Sequence, residues 1–115
     1  MTSPFIEVLA NLNRQRGVLG SLVASESDGI VVDANVQLGI KAPIVAALAG
    51  SLYRKARLSA EAAGYGDVGF VQLEAERGWL CAIGRDDLVL AVLAGPKANV
   101  GLIRVAMLRA RETLA

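Results

Sequence analysis

The spacing of apolar residues changes several times along the chain, and each change marks an element. Phe5, Leu9 and Leu12 recur at helical spacing behind Ser3 and Pro4, a cap and first-turn pair, and Gly17 ends the pattern. A helix over residues 4–15 is predicted. VLGSLVAS and GIVVDA follow as two β-branched-rich runs on either side of Glu26, Ser27 and Asp28. A long helical pattern then runs from Pro43 to Ala63 and stops at Gly64. After it come three short apolar runs, DVGFVQLEAE, GWLCAIG and LVLAVLA, separated by ERG and RDD. Gly95 and Pro96 break the last run, and Asn99 is placed to cap a closing helix from Val100 to Leu114. The order is helix, two strands, helix, three strands, helix. Connections this short make neighbouring strands within each group antiparallel.

The middle helix carries the most informative pattern. At about 100° per residue, Val45, Leu48, Leu52, Ala56 and Ala63 share a face expected to cover a sheet, while Ile44, Ala47, Arg54, Lys55 and Leu58 lie on the far side. A third face holds Ala46, Gly50, Tyr53 and Arg57. Glycine inside a helix costs about 1 kcal/mol relative to alanine, which close approach of another backbone would offset. A loop of the same chain passing over this face is one source of that contact. A second copy of the chain is the other, favoured by a helix length of roughly 30 Å and an apolar content too high for one buried face. On that reading Ala46, Gly50, Tyr53 and Arg57 form a dimer interface.

The segment SESDGIVVDA, residues 25–34, gathers Glu26, Asp28 and Asp33. Asp28 followed by Gly29 between two strand-like runs is a hairpin signal: glycine accepts positive φ, and aspartate hydrogen-bonds the turn backbone. A carboxylate pocket would need further ligands or a base, and none stands nearby in sequence. Glu74 with Glu76, and Asp86 with Asp87, flank other predicted turns and are read the same way. Gly64, Gly66 and Gly69 match the glycine spacing of a dinucleotide fingerprint, but there the strand must precede the glycines and the helix follow. Here the order is reversed. GPKANVG lacks the paired lysine and hydroxyl residue of a phosphate loop.

Composition narrows the chemistry further. The chain of 115 residues suits one domain, residues 1–115, without a disulfide or metal to hold it. Hydrophobic residues make up 54%, yet the longest uncharged apolar stretches, Ala42 to Tyr53 and Leu88 to Pro96, fall short of the about 20 residues that span a bilayer. No membrane insertion is expected, and the first residues show no secretory pattern, so a cytoplasmic protein is expected. Twelve basic residues against 11 acidic ones give a net charge of +1, and aromatics are 4%, which argues against nucleic acid as partner. Histidine is absent, removing the commonest general base and metal ligand. Cys81, the only cysteine, sits in the apolar GWLCAIG and reads as a buried thiol. No cofactor, metal site or catalytic residue is expected, and the chain is not read as an enzyme.

VLGSLVASESDGIVVDA, the long small-residue helix and LVLAVLAGPKANVGLIRVAML, with Asn99, Gly101 and Arg104 at a strand-to-helix junction, together resemble the roadblock family of dynein light-chain-related proteins. The likeness covers nearly the whole chain. It implies an α+β fold with roadblock/profilin-like layers: a five-stranded antiparallel sheet, the long middle helix on one face and the N- and C-terminal helices on the other. It also implies a homodimer that joins sheets edge to edge and pairs the middle helices, and a role in regulating or scaffolding a small Ras-like GTPase. A GTPase activator could supply an arginine in trans, for which Arg14, Arg16, Arg85 and Arg104 are the candidates. The alternative from another class is a small-molecule sensor module with a cleft between sheet and helix.

Overall fold

The computed structural model describes residues 3–114. Its elements are α1 (Ile6–Asn13), β1 (Val18–Ser25), β2 (Val31–Val36), α2 (Ala42–Ala62), β3 (Val71–Ala75), β4 (Gly78–Arg85), β5 (Leu88–Ala94) and α3 (Val100–Ala110), closed by a 3₁₀ turn (Arg111–Leu114). The predicted order stands, with ends adjusted by local bonding. Ser3 Oγ accepts from Phe5 N at 3.1 Å, so the chain turns there and α1 starts at Ile6. Asn99 caps α3 as expected, its Oδ1 accepting from Leu102 N at 3.1 Å. Gly64 ends α2 at φ +75°, a value that suits glycine, while Tyr65 N reaches back to Ala60 O.

The five strands form one sheet in the order β2-β1-β5-β4-β3, every pairing antiparallel. The hairpin β1–β2 and the meander β3–β4–β5 meet along β1 and β5, where Ser21 pairs with Val92 and Ala24 with Val89. Helix α2 makes the connection between the two groups.

Alternation along the strands builds two cores. Val23, Cys81, Ile83, Leu90 and Val92 face α1 and α3, meeting Leu9, Leu12, Ile103 and Met107. Leu22, Ala24, Ala82, Val89 and Ala91 face the other way, toward α2. The middle helix is thus on one face and the terminal helices on the other, as expected. The α2 side of the sheet has Ala24, Ala82 and Ala91 on its three central strands, and α2 answers with Ala46, Ala49, Gly50 and Tyr53. Small residues on both surfaces bring backbones close, and Gly84 completes the fit: a Cβ there would overlap the Tyr53 ring.

This seating corrects the predicted faces of α2. Leu48, expected against the sheet, is 60% exposed, and Ala46, expected on a separate face, is fully buried on the sheet. Shape outranked hydrophobicity, because a sheet surface of alanines admits the helix face with the smallest side chains.

Candidate functional site

Two surfaces stand out, one apolar and one polar. The apolar one begins with α2. Of the residues predicted to join two copies, Ala46, Gly50 and Tyr53 are buried within their own chain, and Arg57 lies half-exposed at their end. Ala46, Gly50 and Tyr53 offer little surface to a partner. The face left open carries Ile44, Leu48 and Leu58, which are 55%, 60% and 46% exposed.

On its own side of the sheet α2 leaves part of the surface bare. A shallow depression of about 270 Å³ is lined by Leu19, Ile40, Leu73, Leu80 and Leu93. Leu73, Leu80 and Leu93 are opposite one another on β3, β4 and β5, so they form a row across the sheet. The row ends at β3, an edge strand whose residues after Val71 are exposed. Unpaired backbone groups along such an edge are a template for another strand. Sequence periodicity missed this row because each leucine belongs to a different strand.

The polar surface lies where the hairpin tips meet the C-terminal half of α2. The β1–β2 tip is a turn, as Asp28-Gly29 predicts: Gly29 has φ +69°, and Asp28 Oδ1 accepts from Ile30 N at 3.3 Å. Its carboxylates do not converge. Glu26 receives Arg57 Nε at 2.9 Å and Nη2 at 3.0 Å, Asp28 serves the turn, and Asp33 Oδ1 accepts from Ala34 N at 2.8 Å. Asp87, at the β4–β5 tip, accepts from Ser27 N, Ser27 Oγ and Ser25 Oγ. The two tips are thereby joined.

Between these tips, α2 and the 3₁₀ turn opens a cleft of about 480 Å³, whose walls include Tyr53, Arg57, Asp67, Gly84, Arg85 and Arg111. Arg111 Nε donates to Gly84 O at 3.1 Å, and Arg85 Nη1 to Glu112 at 3.2 Å. Burial raises the Tyr53 pKa; among the charges around it Arg111 acts most strongly, ahead of Glu26, Arg57 and Asp67. The hydrogen bond and charge of Glu26 raise the Arg57 pKa and keep it a cation. Arg111 was missed in sequence because its partner, Gly84 O, is backbone on a distant strand.

The four arginines proposed as trans-acting do not share a site. Arg14 bonds Asn11 at the end of α1, and Arg16 is exposed close by. Arg85 lies at the opposite end of the sheet, and Arg104 rests over the Phe70 ring at 5.3 Å. Cys81 is buried, and desolvation pushes its thiol up to about 11, which makes it unreactive at neutral pH.

The sequence model described as the Roadblock/LC7 domain matches residues 5–94. The Methanocaldococcus jannaschii protein MJ1340 is 33% identical over 107 residues, which is 93% of this chain and 93% of that one. A solved Roadblock/LC7 domain from Streptomyces avermitilis superposes with TM-score 0.81 at 27% identity, covering 94% of this chain and 95% of that chain. The gliding protein mglB from Thermus thermophilus has the same fold, with TM-score 0.83 at 20% identity over 100% of this chain and 90% of that one.

Proposed function

Because the chain belongs to the Roadblock/LC7 domain family, we propose that it is a non-catalytic, cytoplasmic interaction protein that pairs with a second copy of itself and regulates or scaffolds a small Ras-like GTPase. One observation carries the pairing: the bare leucine row of β3, β4 and β5 runs out to the unpaired edge of β3, on the side of the sheet that α2 covers. Joining two β3 edges about a two-fold axis extends the sheet and lets each α2 approach the other copy's leucines. The interface is then Leu73 with Leu48 and its neighbours, and Arg57 at the margin. Ala46, Gly50 and Tyr53 act from beneath, by setting how close α2 lies to its own sheet.

The GTPase role follows from what family resemblance implies. Regulation of a two-state switch requires different affinity for the two states, since a partner that binds both equally shifts neither. With a net charge of +1 such a contact relies on shape and local polar patches, with little long-range steering.

The pairing is tested by sedimentation of the protein and of Leu73→Asp. The unaltered chain sediments as a dimer at micromolar concentration and the variant as a folded monomer; a monomer for both refutes the pairing. The role is tested by titrating the dimer against its GTPase loaded with GDP or a non-hydrolysable GTP analogue. Unequal affinity supports regulation. Equal affinity, with hydrolysis and exchange unchanged, leaves a scaffold at most.

A further inference from the structure

We propose that the cleft between α2 and the hairpin end of the sheet binds a small organic oxyanion, a carboxylate or phosphate ester, through Tyr53, Arg57 and Arg111. The reading is independent of self-association and of any GTPase. At about 480 Å³ the cleft is of the size that small ligands fill. Its groups come from three places far apart in sequence, α2, the β4–β5 turn with its flanking strand ends, and the 3₁₀ turn. The fold assembles them at one point.

The donors are held from behind and open in front. The Tyr53 ring is buried on Gly84, while its hydroxyl has no hydrogen-bond partner among the described residues. Arg111 spends Nε on Gly84 O, which leaves both terminal nitrogens. Arg57 spends Nε and Nη2 on Glu26, which leaves Nη1. Guanidinium groups anchored in this way lose less freedom when they bind an oxyanion, and charge-assisted bonds are the stronger kind.

The acidic neighbours define what fits. Glu26 is occupied by Arg57, and Asp87 by Ser25 and Ser27. Glu112 and, at 4.0 Å, Asp86 hold Arg85. Asp67 remains on the wall, exposed and without a partner among the described residues. It disfavours a second negative group and suits a hydroxyl or ammonium. The ligand class is therefore one oxyanion group on a small body with a polar donor: a hydroxy acid, an amino acid or a phosphomonoester.

The test is a nuclear magnetic resonance titration of the full chain with inorganic phosphate, lactate and serine in separate arms. Saturable shifts are expected at the Gly84 and Arg85 amides and at the side-chain N–H groups of Arg57 and Arg111. Tyr53→Phe keeps the ring on Gly84 and removes only the hydroxyl, and it should weaken binding about tenfold, as should Arg111→Gln. Arg109→Gln, on α3 outside the cleft, should change nothing. Phosphate binding alone assigns a phosphate ester, and lactate or serine binding alone assigns a carboxylate. No saturable shift with any of the three overturns the proposal, as do shifts that persist undiminished in both Tyr53→Phe and Arg111→Gln. Monomeric Leu73→Asp should bind as the dimer does, so failure here is distinct from failure of the pairing.

Discussion

Asp87, in the β4–β5 turn, holds Ser27, in the β1–β2 turn, through its backbone N–H at 3.0 Å and its hydroxyl at 3.1 Å. Two turns sixty residues apart are closed by one carboxylate. Asp86 and Asp87 both take positive φ, 51° and 66°, so this turn needs at both central positions the conformation that glycine adopts most readily. Asp87 has a reason to be there and Asp86 has none beyond a 4.0 Å approach to Arg85. Asp86→Gly should therefore stabilise the fold by up to about 1 kcal/mol by relieving backbone strain, and Asp87→Ala should destabilise it by about 1–2 kcal/mol. Urea unfolding midpoints check both signs; a destabilised Asp86→Gly or an unperturbed Asp87→Ala would contradict this account of the turn.

Replacing Gly50 and replacing Leu48 should have opposite consequences. A side chain at Gly50 grows toward Ser25 O and Glu26 O, which stand 3.5 and 3.6 Å from the position of its first carbon. Gly50→Leu should lift α2 from the sheet and destabilise the monomer by about 1–3 kcal/mol. Leu48→Glu, on the open face, should leave the unfolding midpoint of a monomeric background within about 0.5 kcal/mol while weakening self-association. Denaturation and sedimentation run on both variants separate the two effects.

Tyr53 and Gly84 should behave as a coupled pair. Gly84→Ala places a carbon inside the Tyr53 ring and should cost about 2–3 kcal/mol. Tyr53→Leu alone leaves a void, but in the double variant the added methyl partly fills it, so the double loss should be smaller than the sum. A double-mutant cycle with strictly additive losses would contradict the packing described for α2.

Stability should decline in alkali through Cys81. Its thiol is raised from 9.0 to about 11 by burial, so the folded state keeps a proton that the unfolded chain releases. The unfolded state binds fewer protons in this window; the contribution is complete below pH 9 and lost as pH rises toward 11. Two units correspond to a loss of about 3 kcal/mol at most. Burial raises the Tyr53 phenol as well, which adds to the slope in the same direction. Cys81→Ala should flatten the decline between pH 9 and 11, measured by urea titration at each pH, and a slope unchanged by the substitution would place its origin elsewhere.

Periodicity was enough to order the elements, because burial of one face repeats at 3.6 residues in a helix and at 2 in a strand. Asp28-Gly29, Asn99 and Gly64 announced their turn, cap and stop because their chemistry acts on backbone within a few residues. The rotation of α2 was a different kind of question. Its sequence ranks Leu48 above Ala46 and Gly50 in hydrophobicity, yet Ala24, Ala82 and Ala91, brought together from three strands, present a surface that accepts Ala46 and Ala49, while Gly50 lies under the backbone of Ser25, Glu26 and Gly29. The same holds for the leucine row, drawn from three strands, and for the cleft, whose lining runs from Glu26 to Arg111. Local chemistry is written in neighbouring letters, whereas steric fit and the meeting of distant donors depend on strand order and register, which exist only once the sheet has formed.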